Sequence, residues 1–446
     1  MNRRARLAAV LVVLLVSAGA LVWQGSHRQL TLHQEGVTRD AWGRLVPVAV
    51  GRSADGWLPL SADGETIPLE VSVLAARAAG RQAWLGSGWQ PDPADPHAPM
   101  VRAALRDLHT LGAPHGSAPG AVLAGASPAW QFVWPRDASF VAVALARTGH
   151  EQDALTTMLL LQELQAPDGS MQARYLPIGD GSVPDDRPVQ EDGPGWALWA
   201  AREVVDAGVP GAEPAGGPER LLAPLITRSA ARLLDRIDAG TGLPEPSPDY
   251  WERPEERVTL GIAATSLMGL EAAADLDARG LVDPAAWRAA GVDPGELTTA
   301  AAALRRQIET DFGPGFGRYA GGRPDAAVTF LLPPFVDEPV RGADGARLRS
   351  QAAQLRPAGG VAPGAGWRND GVSWTPETAL QALAAAHNGH PAEAQRWLTW
   401  LDEHRTPAGA LPEKVLHDGD PAAVAPLAWT AALVVLTTGP RGAGGE

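Results

Sequence analysis

WPRDASFVAVALARTGH, residues 134–150, has a partner 240 positions downstream in WTPETALQALAAAHNGH, residues 374–390. Both open on Trp, place a carboxylate three residues later and close on Gly-His. The register then holds without a gap, with Ala154 falling on Ala394, Pro167 on Pro407 and Gly169 on Gly409. In each segment apolar residues recur at three-to-four spacing, the period of one helix face, and the run stops at Gly. Self-similarity at a fixed offset reports architecture. The two segments read as corresponding helical hairpins of one array, with their loop ends facing one pocket.

The same pattern extends in both directions from Pro99 onward. VRAALRDLHTLG, DALTTMLLLQELQ, GWALWAAREVVDAG, LLAPLITRSAARLLDRIDAG, LGIAATSLMGLEAAADLDARG, LTTAAAALRRQIETDFG, PAEAQRWLTWLDEHR and APLAWTAALVVLTTG all carry it, which predicts ten to twelve helices and almost no strand after residue 100. Tight Gly turns alternate with longer loops rich in Pro, Asp, Glu and Trp, such as 175–194, 243–257 and 360–374. Short turns on one side and long loops on the other describe hairpins whose long loops share a face. An open superhelix of helix pairs is the alternative. Closure into a ring is favoured because the long loops concentrate the Trp and carboxylate residues that a shared pocket needs.

Residues 25–97 differ. TLHQEGVTRDAWGRLVPVAVG and GWLPLSADGETIPLEVSVL alternate apolar and polar residues around Asp/Gly turns, predicting a few short strands ahead of a helical domain over 98–440. Residues 1–24 read as a targeting segment. MNRRAR is followed by an apolar stretch, residues 7–23, that is either a signal peptide with a small-residue site at Ala18-Gly19-Ala20 or a retained membrane anchor. Either way the body is expected to be exported, secreted or held at the cell surface.

The net charge of −14 argues against a nucleic-acid or anionic-membrane partner. The absence of cysteine excludes disulfides, thiolate catalysis and zinc–thiolate sites. No Gly-rich phosphate loop, histidine cluster with ligand spacing or Ser-His-Asp order stands out.

Sixteen Trp against three Tyr and six Phe is an unusual aromatic balance. Trp397 and Trp400 sit on an amphipathic helix and read as core. Trp134, Trp251, Trp367 and Trp374 lie at loop–helix junctions, where an indole face suits either packing or stacking on the CH face of a sugar. The loops also carry Asp185, Asp186, Glu191, Asp192, Glu252 and Glu413. A single loop acid is ordinarily just solvated, and Asp192 before Gly-Pro could cap the following helix. The combination of acid and Trp on several loops is what points to a site. Arg136 and Asp137 fit a clamp on neighbouring hydroxyls, or an inter-loop salt bridge. Glycosidic hydrolysis without a metal requires one carboxyl group to protonate the leaving oxygen and another to activate water or attack carbon. Glu252 follows Trp251, an apolar neighbour of the kind that raises a carboxyl pKa. Glu413 precedes Lys414, the only lysine in the chain, whose charge would favour the carboxylate if both point the same way.

FVWPRDASF (132–140), RPVQEDGPGWALWA (187–200), DYWERPEE (249–256), GWRNDGVSWTPETA (366–379) and GALPEKVLHDGD…PLAWTAA (409–432) form an ordered set. This set resembles glycoside hydrolase family 15, the glucoamylase-like enzymes, over roughly residues 98–440. The resemblance implies an all-α (α/α)6 barrel and inverting release of glucose from non-reducing ends of α-glucosides or α-glucans, with no metal or other cofactor. It implies Glu252 as general acid and Glu413 as general base. Arg136 and Asp137 would grip the terminal sugar, Trp134, Trp251 and Trp374 would line the pocket, and Asp192 and Arg368 would add contacts. The chain departs from the family pattern in its short N-terminal segment, in Pro-Glu-Lys-Val where Pro-Glu-Gln is usual, and in the possible anchor. An oligosaccharide or polysaccharide is the expected partner. An α,α-trehalase, another sugar's hydrolase or a non-catalytic surface glycan-binding protein are the alternatives.

Overall fold

Six helical segments of this chain bury most of their residues, polar ones included, and a helix of that kind lies inside. In the computed structural model, which describes residues 29–40, 42–50, 57–59 and 71–441, they form the inner wall of a barrel. An N-terminal sheet comes first, β1 (Gly36–Arg39), β2 (Leu45–Val50) and β3 (Trp57–Pro59), antiparallel in the order β1-β2-β3. The helices follow: α1 (Val71–Ser87), α2 (Ala98–Leu111), α3 (Pro135–Arg147), α4 (Glu151–Leu164), α5 (Gly193–Ala207), α6 (Gly217–Leu221) and α7 (Ala223–Asp235). Beyond them lie α8 (Leu260–Ala278), α9 (Pro284–Ala289), α10 (Pro294–Asp311), α11 (Ala343–Gln354), α12 (Thr375–His387), α13 (Pro391–Glu403) and α14 (Ala428–Thr438).

The inner ring runs α3, α5, α8, a 3-10 helix (Ala326–Leu331), α12 and α14, each packed on the next, and α14 returns to α3. Helices α2, α4, α7, α10, α11 and α13 form the outer layer. The architecture is therefore an all-α (α/α)6 barrel: the ring closes. Phe140, Trp196, Trp199, Phe330 and Phe335 fill its interior with ring centroids 4.9–6.2 Å apart. Trp199 Nε1 donates to Pro334 O at 3.2 Å, so this plug is anchored as well as packed.

The internal repeat maps onto the α3/α4 and α12/α13 hairpins. Their turns, at Gly149 (φ 81°) and Gly389 (φ 78°), need the left-handed backbone that costs other residues roughly 1–2 kcal/mol. Tight turns of this kind follow the inner helices α3 and α12, whereas longer connections follow α5, α8 and the 3-10 helix. The connections 112–134, 165–192, 236–259, 312–325, 355–374 and 404–427 run the other way, from outer helix to inner N-terminus. All six inner N-termini thus open on the face where the Trp- and acid-bearing loops gather.

One expectation needs correction. The strand reading of residues up to Leu74 gives way to helix α1, because Val71–Leu74 continues into the Ala-rich run Ala75–Ala79, whose residues favour a helix. Helix α1 docks through Trp84, whose ring stacks on His150 at 3.7 Å and whose Nε1 donates to Asp153 at 2.7 Å. Strand pairing also recurs late, in a small antiparallel sheet of β4 (Ser373–Trp374), β5 (Lys414–Val415) and β6 (Pro421–Ala422). Residues 31–33 pair with the loop beyond it, through His33 N to Ala423 O and Ala423 N to Thr31 O, both 2.9 Å. Among the described residues no helix is long and apolar enough to cross a membrane. The stretch 7–23 lies outside them.

Candidate active site

The six inner N-termini surround a cavity of about 370 Å³, within the range of small-molecule sites. Its lining includes Trp130, Trp134, Arg136, Asp137, Arg174, Arg187, Tyr250, Trp251, Glu252, Trp367, Trp374, Glu377, Glu413 and Trp429. Both acids singled out by the sequence, Glu252 and Glu413, therefore face one space.

Glu252 is held by a turn that the sequence builds around Asp249. Its N–H donates to Asp249 O at 2.6 Å, and its own backbone lies in the left-handed region at φ 53°. A non-glycine residue keeps that conformation only where its surroundings impose it. They do so here. Asp249 accepts from Trp251 N at 3.0 Å, from Thr259 Oγ1 at 2.8 Å and from Arg318 Nη2 at 2.9 Å. The Arg318 guanidinium also lies 3.7 Å from the Trp251 ring centroid. The Glu252 carboxyl group accepts from Trp134 Nε1 at 2.9 Å and Arg136 Nη2 at 3.4 Å, and Arg187 closes on its other oxygen. Two guanidinium groups and an indole N–H thus contact the acid, in place of the apolar wall expected from Trp251. The Trp251 ring turns instead toward Arg318 and Trp367.

Glu413 is positioned by the small sheet. Its N–H donates to Val424 O at 2.8 Å, and Thr375 N donates to its carbonyl at 3.1 Å. The β4–β5 register sets Trp374 opposite Lys414, whose ammonium lies 4.2 Å from the Trp374 ring and 3.0 Å from Glu413 Oε2. Lys414 and Glu413 point the same way and pair.

Behind these two groups lies a layer of buried carboxyl groups at the inner N-termini. Burial pushes Asp137 up to about 6, against the pull of Arg136, whose Nη2 is 3.2 Å from Asp137 Oδ2. Burial likewise raises Asp192 to about 7 and Glu377 to about 8. The indole nitrogens of Trp251, Trp367, Trp374 and Trp429, Nε and Nη1 of Arg136 and Oε2 of Glu377 are buried without a hydrogen-bond partner. Unsatisfied buried polar atoms are rare in folded proteins. Seven of them belong to residues that line this one cavity.

Neither a protein-family model nor a curated protein sequence matches the chain. Solved structures do. A glycosidase variant in complex with glucose superposes with a TM-score of 0.60 at 22% identity, over 77% of this chain and 97% of that one. A bacterial glucoamylase complexed with acarbose gives 0.62 at 15%, covering 82% of this chain and 58% of that one. The glucoamylase of Saccharomycopsis fibuligera gives 0.57 at 15%, over 78% and 96%. The likeness is one of fold. At these identities it establishes the glucoamylase-type (α/α)6 barrel independently of the ring traced above.

The structure brings together Trp134, Arg136, Asp137, Trp251, Glu252, Trp374 and Glu413 around the cavity. Asp192 stands just behind the lining. It occupies the N-cap position of α5, yet its side chain caps nothing and instead accepts from Trp196 Nε1 at 3.3 Å and Gln190 Nε2 at 3.2 Å. Arg368 is exposed and outside the lining, with its guanidinium 5.7 Å from the Trp367 ring. Glu191 also turns away, to pair with Arg232. Sequence reasoning overlooked Arg174, Arg187, Trp429 and Glu377. For Glu377 a signal was available, because the repeat aligns it with Asp137.

Proposed function

We propose that the protein is an inverting glycoside hydrolase of the glucoamylase-like type, releasing glucose from non-reducing ends of α-glucosides or α-glucans. The observation that carries this reading is that Glu252 and Glu413, held by separate loops and separate devices, line the same Trp-walled cavity. In this mechanism Glu252 gives its proton to the glycosidic oxygen as the C1–O bond breaks. Glu413 takes a proton from a water whose oxygen bonds to C1 on the opposite face of the ring. Lys414, beside Glu413, supports its role as the ionised partner. Arg187, with 36% of its side chain exposed, occupies the position at Glu252 that the glycosidic oxygen needs, and yields it when the sugar enters. Arg136 and Asp137 grip the terminal ring, and the indole faces of Trp134, Trp251 and Trp374 stack against its CH faces.

The fold of the solved neighbours and the motif resemblance to family 15 support the same reading. The N-terminal stretch 7–23 fits export, with the segment either cleaved or retained as an anchor. Glucose release from a panel of α-linked disaccharides and maltodextrins tests the activity. Wild type is expected to release glucose from at least one substrate, with Glu252→Gln and Glu413→Gln slower by about a thousandfold or more. Full activity in either variant would remove that residue from its assigned role.

A further inference from the structure

The repeat delivers two carboxylates to the cavity, and only one has a place in the mechanism above. Asp137 and Glu377 are both the third residue of an inner helix, on α3 and α12, and both are almost fully buried in the cavity wall. Asp137 has Arg136 beside it, and the equivalent neighbour of Glu377 is Pro376. Glu377 Oε2 is buried without a hydrogen-bond partner. A carboxyl oxygen left so is costly unless a ligand completes it.

We propose that Glu377 is a specificity-determining residue of this cavity, its carboxyl O–H donating a hydrogen bond to one hydroxyl of the bound sugar. The proposal rests on the reading of the cavity as a sugar site. Asp137 and Glu413, as carboxylates, only accept hydrogen bonds. A protonated Glu377 adds a donor to that acid-lined wall, so it reads a hydroxyl oxygen where the other acids read hydroxyl hydrogens. Burial, pushing Glu377 up to about 8, supplies the protonated form at neutral pH. The charged groups acting on it are Arg136 from α3, which opposes the rise, and Glu413 and Asp325 from the neighbouring loops, which add to it.

Glucose binding, followed by calorimetry well below and well above about 8, tests this without requiring turnover. Wild-type affinity is expected to fall about tenfold or more above that pH, as the donor is lost. Glu377→Gln, whose amide still donates and does not titrate, is expected to keep the low-pH affinity and lose the fall. Glu377→Leu is expected to bind about tenfold or more weakly at both pH values, with thermal melts confirming that each variant folds. One monodeoxyglucose, lacking the contacted hydroxyl, should bind wild type and Glu377→Leu alike, a coupling that a merely structural role would not produce. If Glu377→Gln keeps the wild-type pH profile, or Glu377→Leu binds every deoxy sugar with wild-type discrimination, this proposal is overturned and the sugar reading survives. Failure of wild type to bind any of these sugars at either pH would overturn both.

Discussion

The α3/α4 and α12/α13 hairpins share a register over more than thirty residues and place a carboxylate at the same helical position, yet the two acids live in different electrostatic settings. In the first hairpin Arg136 contacts both Asp137 and Glu252, and burial raises Asp137 only to about 6. In the second, with Pro376 in place of the arginine, burial raises Glu377 to about 8. The scaffold fixes where a side chain reaches, and its neighbour fixes the charge it carries there. One fold can therefore hold a hydrogen-bond acceptor and a hydrogen-bond donor on two copies of the same element.

The sharpest way to break the comparison is to make the first hairpin resemble the second. Arg136→Met leaves Asp137 and Glu252 without their shared guanidinium. Removing one partner of a buried pair costs about 3–5 kcal/mol, so a urea titration should show a loss of that order. Hydrolysis should fall about a thousandfold or more in kcat/KM at the same time. Wild-type kinetics in this variant would mean that Arg136 only bridges loops.

A smaller effect concerns stability. Glu377 titrates at about 8 when folded against an ordinary value of 4.5. Between those two pH values the unfolded chain has released its proton and the folded protein has not, so stability falls as pH rises. Below 4.5 there is no penalty, and above about 8 it is complete. Glu377→Gln lacks the group and should be the more stable protein at alkaline pH, by on the order of 5 kcal/mol, with little difference in acid. Parallel wild-type and variant curves of melting temperature against pH would contradict the assignment.

The smallest effect compares the turns that end the two repeats. A Cβ on Gly169 would meet Arg228 O at 2.2 Å, whereas on Gly409 it would meet only the flexible end of Arg405 at 3.1 Å. Both glycines have positive φ, at 83° and 84°. Gly409→Ala should cost about 1 kcal/mol, and Gly169→Ala about 2 kcal/mol more, in paired chemical denaturation. Equal losses would show that the outer layer yields to the added methyl group.

Much of the barrel was legible because helical periodicity and repeat register are local properties of the chain. The legible runs supplied ten of the twelve barrel elements. The two they missed are physically atypical. Ala326–Leu331 is one short 3-10 segment, too brief for a helical period and closed by Pro333-Pro334. Helix α11 is largely polar and hides Arg347, which pairs with Glu393 at 2.7 Å, where an apolar residue would be sought. At the site, residues inside strong motifs were readable. Arg174 and Arg187 were not, because an arginine on a long polar loop looks solvated until the fold turns it inward. Arg368 was readable but stands outside the lining. It lies beside Trp367, which does line the cavity, but one residue along an extended loop the side chain points outward. Glu377 was visible only through its alignment with Asp137.

In the inverting mechanism proposed above, Glu252 and Glu413 act from opposite faces of one sugar ring. Proton NMR of the first glucose released, on the α-linked substrate cleaved fastest, tests it most directly. β-Glucose is expected to appear first and mutarotate later, with no such burst from Glu413→Gln. α-Glucose as the first product would contradict it.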